Sequence, residues 1–198
     1  MKEISAILLA GGKSKRFGSN KRDIVFSSET LIASAIKKLN QIAEDIIIVL
    51  SPDDNSFNYQ EKVVFDQISD KGPLIGIYSG LKNIRNEKSI VIPIDTPFIS
   101  IEFLQYLVES SNDFDAVIPL WNNCLEPLIG IYSMSIINDL ENWIHSGNKM
   151  APHLFLESLN KPRINFINES NIRKFGNPEK LFLNINTTED LNKAQSLI

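Results

Sequence analysis

Thirteen residues near the N-terminus, Leu9-Ala10-Gly11-Gly12-Lys13-Ser14-Lys15-Arg16-Phe17-Gly18-Ser19-Asn20-Lys21, combine the types that grip a compact polyanion. Without a Cβ, Gly11 and Gly12 let backbone N–H groups come close to phosphate oxygens. Arg16 can hold a phosphate through two parallel hydrogen bonds, and Lys21 can act as a mobile point charge. Residues 13–22 carry Lys13, Lys15, Arg16, Lys21 and Arg22 with no carboxylate, so against a whole-chain charge of −4 the remainder stands at −9. A small basic patch on an acidic body suits a nucleoside triphosphate. It does not suit a nucleic-acid polymer, which needs a broad basic face. The plain alternative is a solvated basic loop. Two familiar phosphate motifs are absent: there is no G-x-G-x-x-G, and Gly18 is followed by Ser19-Asn20 where a P-loop would have Lys-Ser or Lys-Thr.

Two carboxylates stand where apolar runs end. Asp95 follows Ser89–Ile94 and precedes Thr96-Pro97, where the chain must turn. A carboxylate there can hold Mg2+, which takes one or two carboxylates plus substrate phosphates. The alternative is a turn or capping aspartate, although Ser100 is the better cap for the next helix. Asp66 follows Lys62–Phe65 and opens a loop ending at Gly72-Pro73. It could accept from the N1–H and N2–H2 edge of a guanine or from a ribose hydroxyl, and Asp70 competes for either role.

The elements that must position these groups follow from apolar periodicity. Strands are expected at Ile4–Leu9, Asp45–Leu50, Lys62–Phe65, Ser89–Ile94 and Asp115–Leu120, with helices at Leu31–Ala43, Leu74–Ile84 and Ile101–Ser110. Strand–helix alternation implies right-handed crossovers and a mainly parallel sheet covered on both faces. After Leu120 the rhythm changes. Leu125–Ser133 follows closely behind Asn122-Asn123 and can pair antiparallel. Helices are expected at Ser135–His145, Pro152–Leu159 and Thr188–Leu197, with short strands at Arg163–Ile167 and Lys180–Leu183. The expectation is one domain over 1–198: an α/β, doubly wound, mainly parallel sheet with an antiparallel element in its C-terminal third.

Composition removes other classes. With 43% hydrophobic and 22% charged residues the chain has the balance of a globular protein, not a disordered or fibrous one. One cysteine, Cys124, excludes an internal disulfide framework, and it reads as a bland residue, not a nucleophile. His145 and His153 are too far apart for the usual ligand spacings and read as surface residues. The apolar run Ile4–Ala10 is too short to span a bilayer or to act as a signal core, so a cytoplasmic protein is expected, with neither membrane nor nucleic acid as partner.

The pattern L-A-G-G-x-S-x-R-(M/F)-G-x-x-K at Leu9–Lys21 resembles the signature of the nucleotidyltransferases, in the version of the molybdenum cofactor guanylyltransferases. The resemblance continues through Asp66…Gly72-Pro73-Leu74-Ile75-Gly76-Ile77, Ile94-Asp95-Thr96-Pro97-Phe98, Glu126-Pro127-Leu128-Ile129-Gly130-Ile131-Tyr132 and Asn184-Ile185-Asn186-Thr187-Thr188-Glu189-Asp190-Leu191. It implies a Rossmann-like nucleotidyltransferase fold that binds GTP and a molybdopterin-type cofactor, releases pyrophosphate, and makes transient contact with molybdoenzymes or their chaperones. It implies nucleotide contacts at Leu9, Ala10, Gly11, Gly12, Lys21, Asp66 and Asp95, catalytic roles for Arg16, Lys21 and Asp95, and Mg2+ on Asp95.

Asn184 and Asn186 would then line the acceptor side, with Thr187 either joining them or capping the last helix with Asp190 as its box partner. The chain departs from the pattern at Arg22-Asp23, where members continue with apolar residues. Asp23 could pair with Lys21 or Arg22 and weaken the phosphate grip. Two other readings share the first loop. One is a sister enzyme, a cytidylyltransferase on the same cofactor or a sugar- or polyol-phosphate nucleotidyltransferase. The other is a non-catalytic nucleotide-binding module.

Overall fold

A computed structural model describes residues 3–11, 20–54, 58–66, 72–159 and 163–198. Its central strand, β1 (Ser5–Leu9), is apolar or small throughout and nearly all buried, as a strand covered on both faces must be. A short antiparallel hairpin, β2 (Val25–Phe26) with β3 (Glu29–Thr30), turns at Ser27 (φ 63°). It leads into α1 (Leu31–Leu39), whose first turn is capped by the Thr30 hydroxyl accepting from the Ala33 N–H. Next come β4 (Asp45–Leu50), β5 (Lys62–Phe65), α2 (Pro73–Leu81), β6 (Lys88–Pro93) and α3 (Ile101–Glu109). The Ser100 hydroxyl caps α3 by accepting from the Phe103 N–H, as the sequence anticipates. The last third holds β7 (Ala116–Trp121), β8 (Cys124–Leu125), β9 (Gly130–Ser133), α4 (Ile137–His145), α5 (Pro152–Ser158), β10 (Ile164–Ile167), α6 (Glu169–Ile172), α7 (Pro178–Leu181) and α8 (Thr188–Gln195).

The main sheet runs β10-β7-β9-β6-β1-β4-β5, with β8 folded back on β7. β1 pairs parallel with both β4 and β6, β5 parallel with β4, and β10 parallel with β7. Alternation along each strand divides the apolar side chains between two cores. Ala6, Leu8, Ile46 and Ile48 meet α1, α3 and the C-terminal helices on one face, while Ile7, Ile47 and Val49 meet α2, α4 and α5 on the other. The sheet is therefore doubly wound and mainly parallel. Among the described residues no helix is long and apolar enough to cross a membrane.

The antiparallel element is more specific than the apolar run suggested. Only Gly130–Ser133 enters the main sheet, as β9, and it lies antiparallel between β6 and β7. Cys124–Leu125 pairs back on β7 through Asn122 and Asn123, which take φ of 48° and 58°, the left-handed region that a two-residue hairpin requires and asparagine tolerates. The strand expected at Lys180–Leu183 is absent: residues 178–181 are helical. The Asn177 side chain accepts from the Glu179 N–H and Pro178 takes the first helical position, so two start signals outweigh the short apolar pattern.

Candidate active site

In an open parallel sheet the ligand crevice lies beyond the carboxyl ends of the strands, and here those of β1 and β6 open into a cleft of about 330 Å³. Leu9, Ala10 and Gly11 form one wall as they leave β1, Pro93, Ile94 and Asp95 a second as they leave β6, and Lys21, Asn184 and Asn186 close it, with Pro73 and Leu128 at the edges. Gly11 is required by packing. A Cβ there would lie 2.6 Å from the Ser51 backbone nitrogen and 2.9 Å from the Leu50 carbonyl carbon, both fixed backbone atoms.

Lys21 stands in a single 3-10 turn, Lys21–Asp23, and donates to Asp95 Oδ2 at 2.8 Å and to Asn186 Oδ1 at 2.6 Å. Three separate pieces of chain thus converge on one ammonium. The C-terminal piece is hung on the second: the Ile185 N–H donates to the Asp95 carbonyl at 2.9 Å. Its far end is fixed by Asp190, whose Oδ2 accepts from the Asn186 N–H, the Thr187 N–H and the Thr187 hydroxyl at 2.8–2.9 Å. Burial pushes the Asp190 carboxyl upward in pKa, yet these donors outweigh it and hold it below the usual range. Thr187 and Asp190 form a reciprocal capping box on α8, which decides Thr187 as a helix cap.

Of the residues expected in the site, Leu9, Ala10, Gly11, Lys21, Asp95, Asn184 and Asn186 share the cleft. Gly12 and Arg16 lie outside the described residues. Asp66 does not line the cleft itself. It leaves β5 with its N–H on the Leu50 carbonyl, and its carboxylate lies near Gly76 of α2, where an added Cβ would come within 3.4 Å of Asp66 Oδ1 and 3.0 Å of the Leu9 side chain. Burial raises the Asp66 pKa to about 6, and Oδ1 is buried with no hydrogen-bond partner. A buried acceptor left unpaired costs stability, and this one faces α2 at Gly76.

The sequence did not anticipate how the other side of the cleft is braced. Glu126 accepts from the Trp121 indole at 2.8 Å, and the Tyr132 hydroxyl donates to the Pro127 carbonyl at 2.5 Å, which pins the turn that presents Leu128. Burial raises the Glu126 pKa, and the indole hydrogen bond opposes it. Asp23 is not a competitor for the cations beside it, contrary to the expectation: Lys21 goes to Asp95 and Asn186, and Arg22 to Asn20 and Asp54.

The chain is similar to known proteins over nearly its whole length. Residues 6–160 match the family model described as a MobA-like NTP transferase domain. A protein of Peptoclostridium acidaminophilum named probable molybdenum cofactor guanylyltransferase is 35% identical over 196 residues, covering 96% of this chain and 87% of its own. Another of the same name, from Pelotomaculum thermopropionicum, is 30% identical and covers 98% and 93%. The crystal structure of molybdopterin-guanine dinucleotide biosynthesis protein A from Archaeoglobus fulgidus superposes with a TM-score of 0.80 at 26% identity, covering 98% of each chain.

Proposed function

The chain belongs to the MobA-like NTP transferase family, and from that premise we propose that it transfers GMP from GTP to a molybdopterin-type cofactor, releasing pyrophosphate. The observation that carries this reading is the meeting of Lys21, Asp95 and Asn186 in a cleft that the β1 exit at Leu9–Gly11 also lines. We read residues 1–198 as one nucleotidyltransferase domain, supported by the two cores that share a single sheet. The substrates put the reaction in the cytoplasm, with molybdoenzymes or their chaperones as the transient partners that take up the product.

In this reading the terminal phosphate oxygen of the acceptor attacks the α-phosphorus of GTP in line. The bond from the α-phosphorus to its bridging oxygen breaks, and that oxygen leaves with pyrophosphate carrying the electron pair. A phosphate monoester has a second pKa near ~6, so its oxygen is already ionised at neutral pH and needs no general base. Side chains therefore act by placement and charge neutralisation. The Gly11 and Gly12 N–H groups and Arg16 cradle the phosphates. Lys21 swings from Asp95 to the phosphates as they enter. Asn184 and Asn186 hydrogen-bond the acceptor, and Asp66 reads the guanine edge.

The cleft fits a hard divalent cation, which we take as Mg2+. Asp95 Oδ2 and Asn186 Oδ1 already share one cation, the Lys21 ammonium, at hydrogen-bonding distance. Asp95 would hold the metal, which supplies charge neutralisation on the phosphates when bound. Pyrophosphate release measured with all four nucleotides crossed against molybdopterin and common phosphate acceptors tests the whole reading. Release with GTP and molybdopterin is expected. Equal or faster release with CTP would make this a cytidylyltransferase, and GTP binding without release would make it a binding module.

A further inference from the structure

Among the described residues, Arg22 is the one charged side chain fully withdrawn from solvent, at 2% exposure. Its guanidinium faces Asn20, Asp54 and the Tyr59 phenol, and the first two bonds are the best formed. Nε donates to Asn20 Oδ1 at 3.0 Å, and Nη2 donates to Asp54 Oδ1 at 2.8 Å. Asn20 Oδ1 also accepts from the Arg22 backbone N–H at 3.3 Å, so one amide oxygen closes the 3-10 turn and orients the side chain. Nη1 is buried without a hydrogen bond of good geometry. The cation also draws down the pKa of the nearby Tyr59 phenol, though burial, the larger influence, leaves it raised.

Asp54 makes the far end of the link meaningful. Its second oxygen accepts from the Ser51 N–H at 2.9 Å, and its own N–H returns to the Ser51 carbonyl at 3.0 Å. The Ser51–Asp54 turn that receives Arg22 is also the turn against which Gly11 packs, with room for no Cβ between Gly11 and the Ser51 nitrogen. Both flanks of segment 12–19 are therefore fastened to the same four residues, one by contact and the other by an ion pair whose guanidinium is buried.

We infer that Arg22 is a positioning residue: its link to Asp54 holds the Asn20–Arg22 turn on the Ser51–Asp54 turn and so sets the Lys21 ammonium against Asp95 and Asn186. This rests on the reading of Lys21 as a phosphate-gripping group. Stability alone does not explain the arrangement. Burying a guanidinium with one nitrogen left unsatisfied carries a desolvation cost that its ion pair need not exceed. What the planar guanidinium adds is direction, since bonds to Asn20 and Asp54 fix both its distance and its rotation. Lys21 is the adjoining residue, and displacement of a substrate-positioning group by an ångström can cost on the order of 100-fold in rate.

The test uses Arg22→Met and Asp54→Asn in the full chain, with calorimetry of tripolyphosphate, GTP and guanosine well below the melting transition. Asp54→Asn keeps the shape of the turn and an acceptor for Ser51, but its amide would face the Arg22 donors; it carries the test should Arg22→Met fail to fold. Each variant is expected to lose about tenfold or more in affinity for tripolyphosphate and GTP, with guanosine changed less than twofold. The double variant is expected to be no weaker than the worse single one, because both changes break one link. Unchanged tripolyphosphate affinity in a folded variant overturns the inference, as do equal losses for guanosine and GTP, and as does a wild-type protein that does not bind tripolyphosphate. A wild-type protein that binds tripolyphosphate but releases no pyrophosphate from GTP and molybdopterin defeats the proposed reaction alone, and the variant comparison then still decides the role of Arg22.

Discussion

Lys21 and Asp95, 74 positions apart in sequence, meet at 2.8 Å across the mouth of the cleft. The lysine holds the carboxylate that the proposed metal would take, and the carboxylate holds the lysine that the phosphates would take. Each ligand releases the partner of the other. Lys21→Met is therefore expected to raise the affinity of the free protein for Mn2+, read by electron paramagnetic resonance, while in the wild type Mn2+ binding strengthens on addition of GTP. Mn2+ affinity equal in wild type and variant, with and without nucleotide, would separate the two residues.

Asp95→Asn should fold and keep most of its GTP affinity. Turnover should fall by about 10²–10⁴-fold, the scale of ~3–5 kcal/mol of transition-state stabilisation. Steady-state pyrophosphate release alongside calorimetry checks both halves, and wild-type turnover in a folded variant removes Asp95 from the mechanism.

Lys21→Ala and Arg16→Ala should weaken GTP by roughly 1–3 kcal/mol and leave guanosine almost unchanged, because their partners are phosphate oxygens. Equal losses for both ligands would make the loop structural.

The Asp66 carboxyl, at about 6 when folded against an ordinary 3.8, gives a pH dependence with a definite sign. The folded protein holds this proton more tightly than the unfolded chain. The group's penalty is thus absent below 3.8, grows as pH rises from 3.8 to 6, and is complete above that. Asp66→Asn should therefore melt higher than wild type at pH 8, with the advantage shrinking toward pH 4.5. GTP affinity of the wild type should rise from pH 5 to pH 7 as the acceptor ionises. In Asp66→Ala the preference for GTP over CTP should fall by about 5- to 150-fold, the value of one buried acceptor; equal weakening of both nucleotides would move Asp66 to the ribose.

Gly11→Ala should cost roughly 1–3 kcal/mol in a chemical denaturation curve, because the new methyl meets backbone that cannot turn aside. Gly76→Ala faces the Leu9 side chain at 3.0 Å, which can yield, and should cost less.

Much of this was legible from residue order. Buried runs such as Asp45–Leu50 and capping signals such as Ser100 act locally, and the structure follows them. The cleft residues at Leu9–Gly11 and Asp95 were legible because each group sits at the end of a strand, where a parallel sheet gathers them. Lys21 instead stands in a 3-10 turn, and Asn184 and Asn186 follow a helix. What sequence hid was pairing at a distance. Nothing in Lys180–Leu183 itself distinguishes a strand from the helix that Asn177 and Pro178 start. Arg22 gives no sign of its partner 32 residues away, since Asp54 lies in a loop with no periodicity. The link from Ile185 to the Asp95 carbonyl is made by backbone, which sequence does not mark.

The insertion of β9 between β6 and β7 bears on how the chain is made. Until Gly130–Ser133 has left the ribosome, β6 has β1 on one side and an open row of amides and carbonyls on the other. The N-terminal half, with most of the nucleotide cleft already in it, would emerge as a nascent sheet that adheres to neighbouring chains. Gly130 is the latch on that exposure, since a methyl there would strike the Val117 carbonyl oxygen at 2.6 Å and obstruct the insertion. Nascent chains arrested before residue 133 should accordingly be cut readily by protease and held by chaperones, and chains arrested well beyond it should resist both.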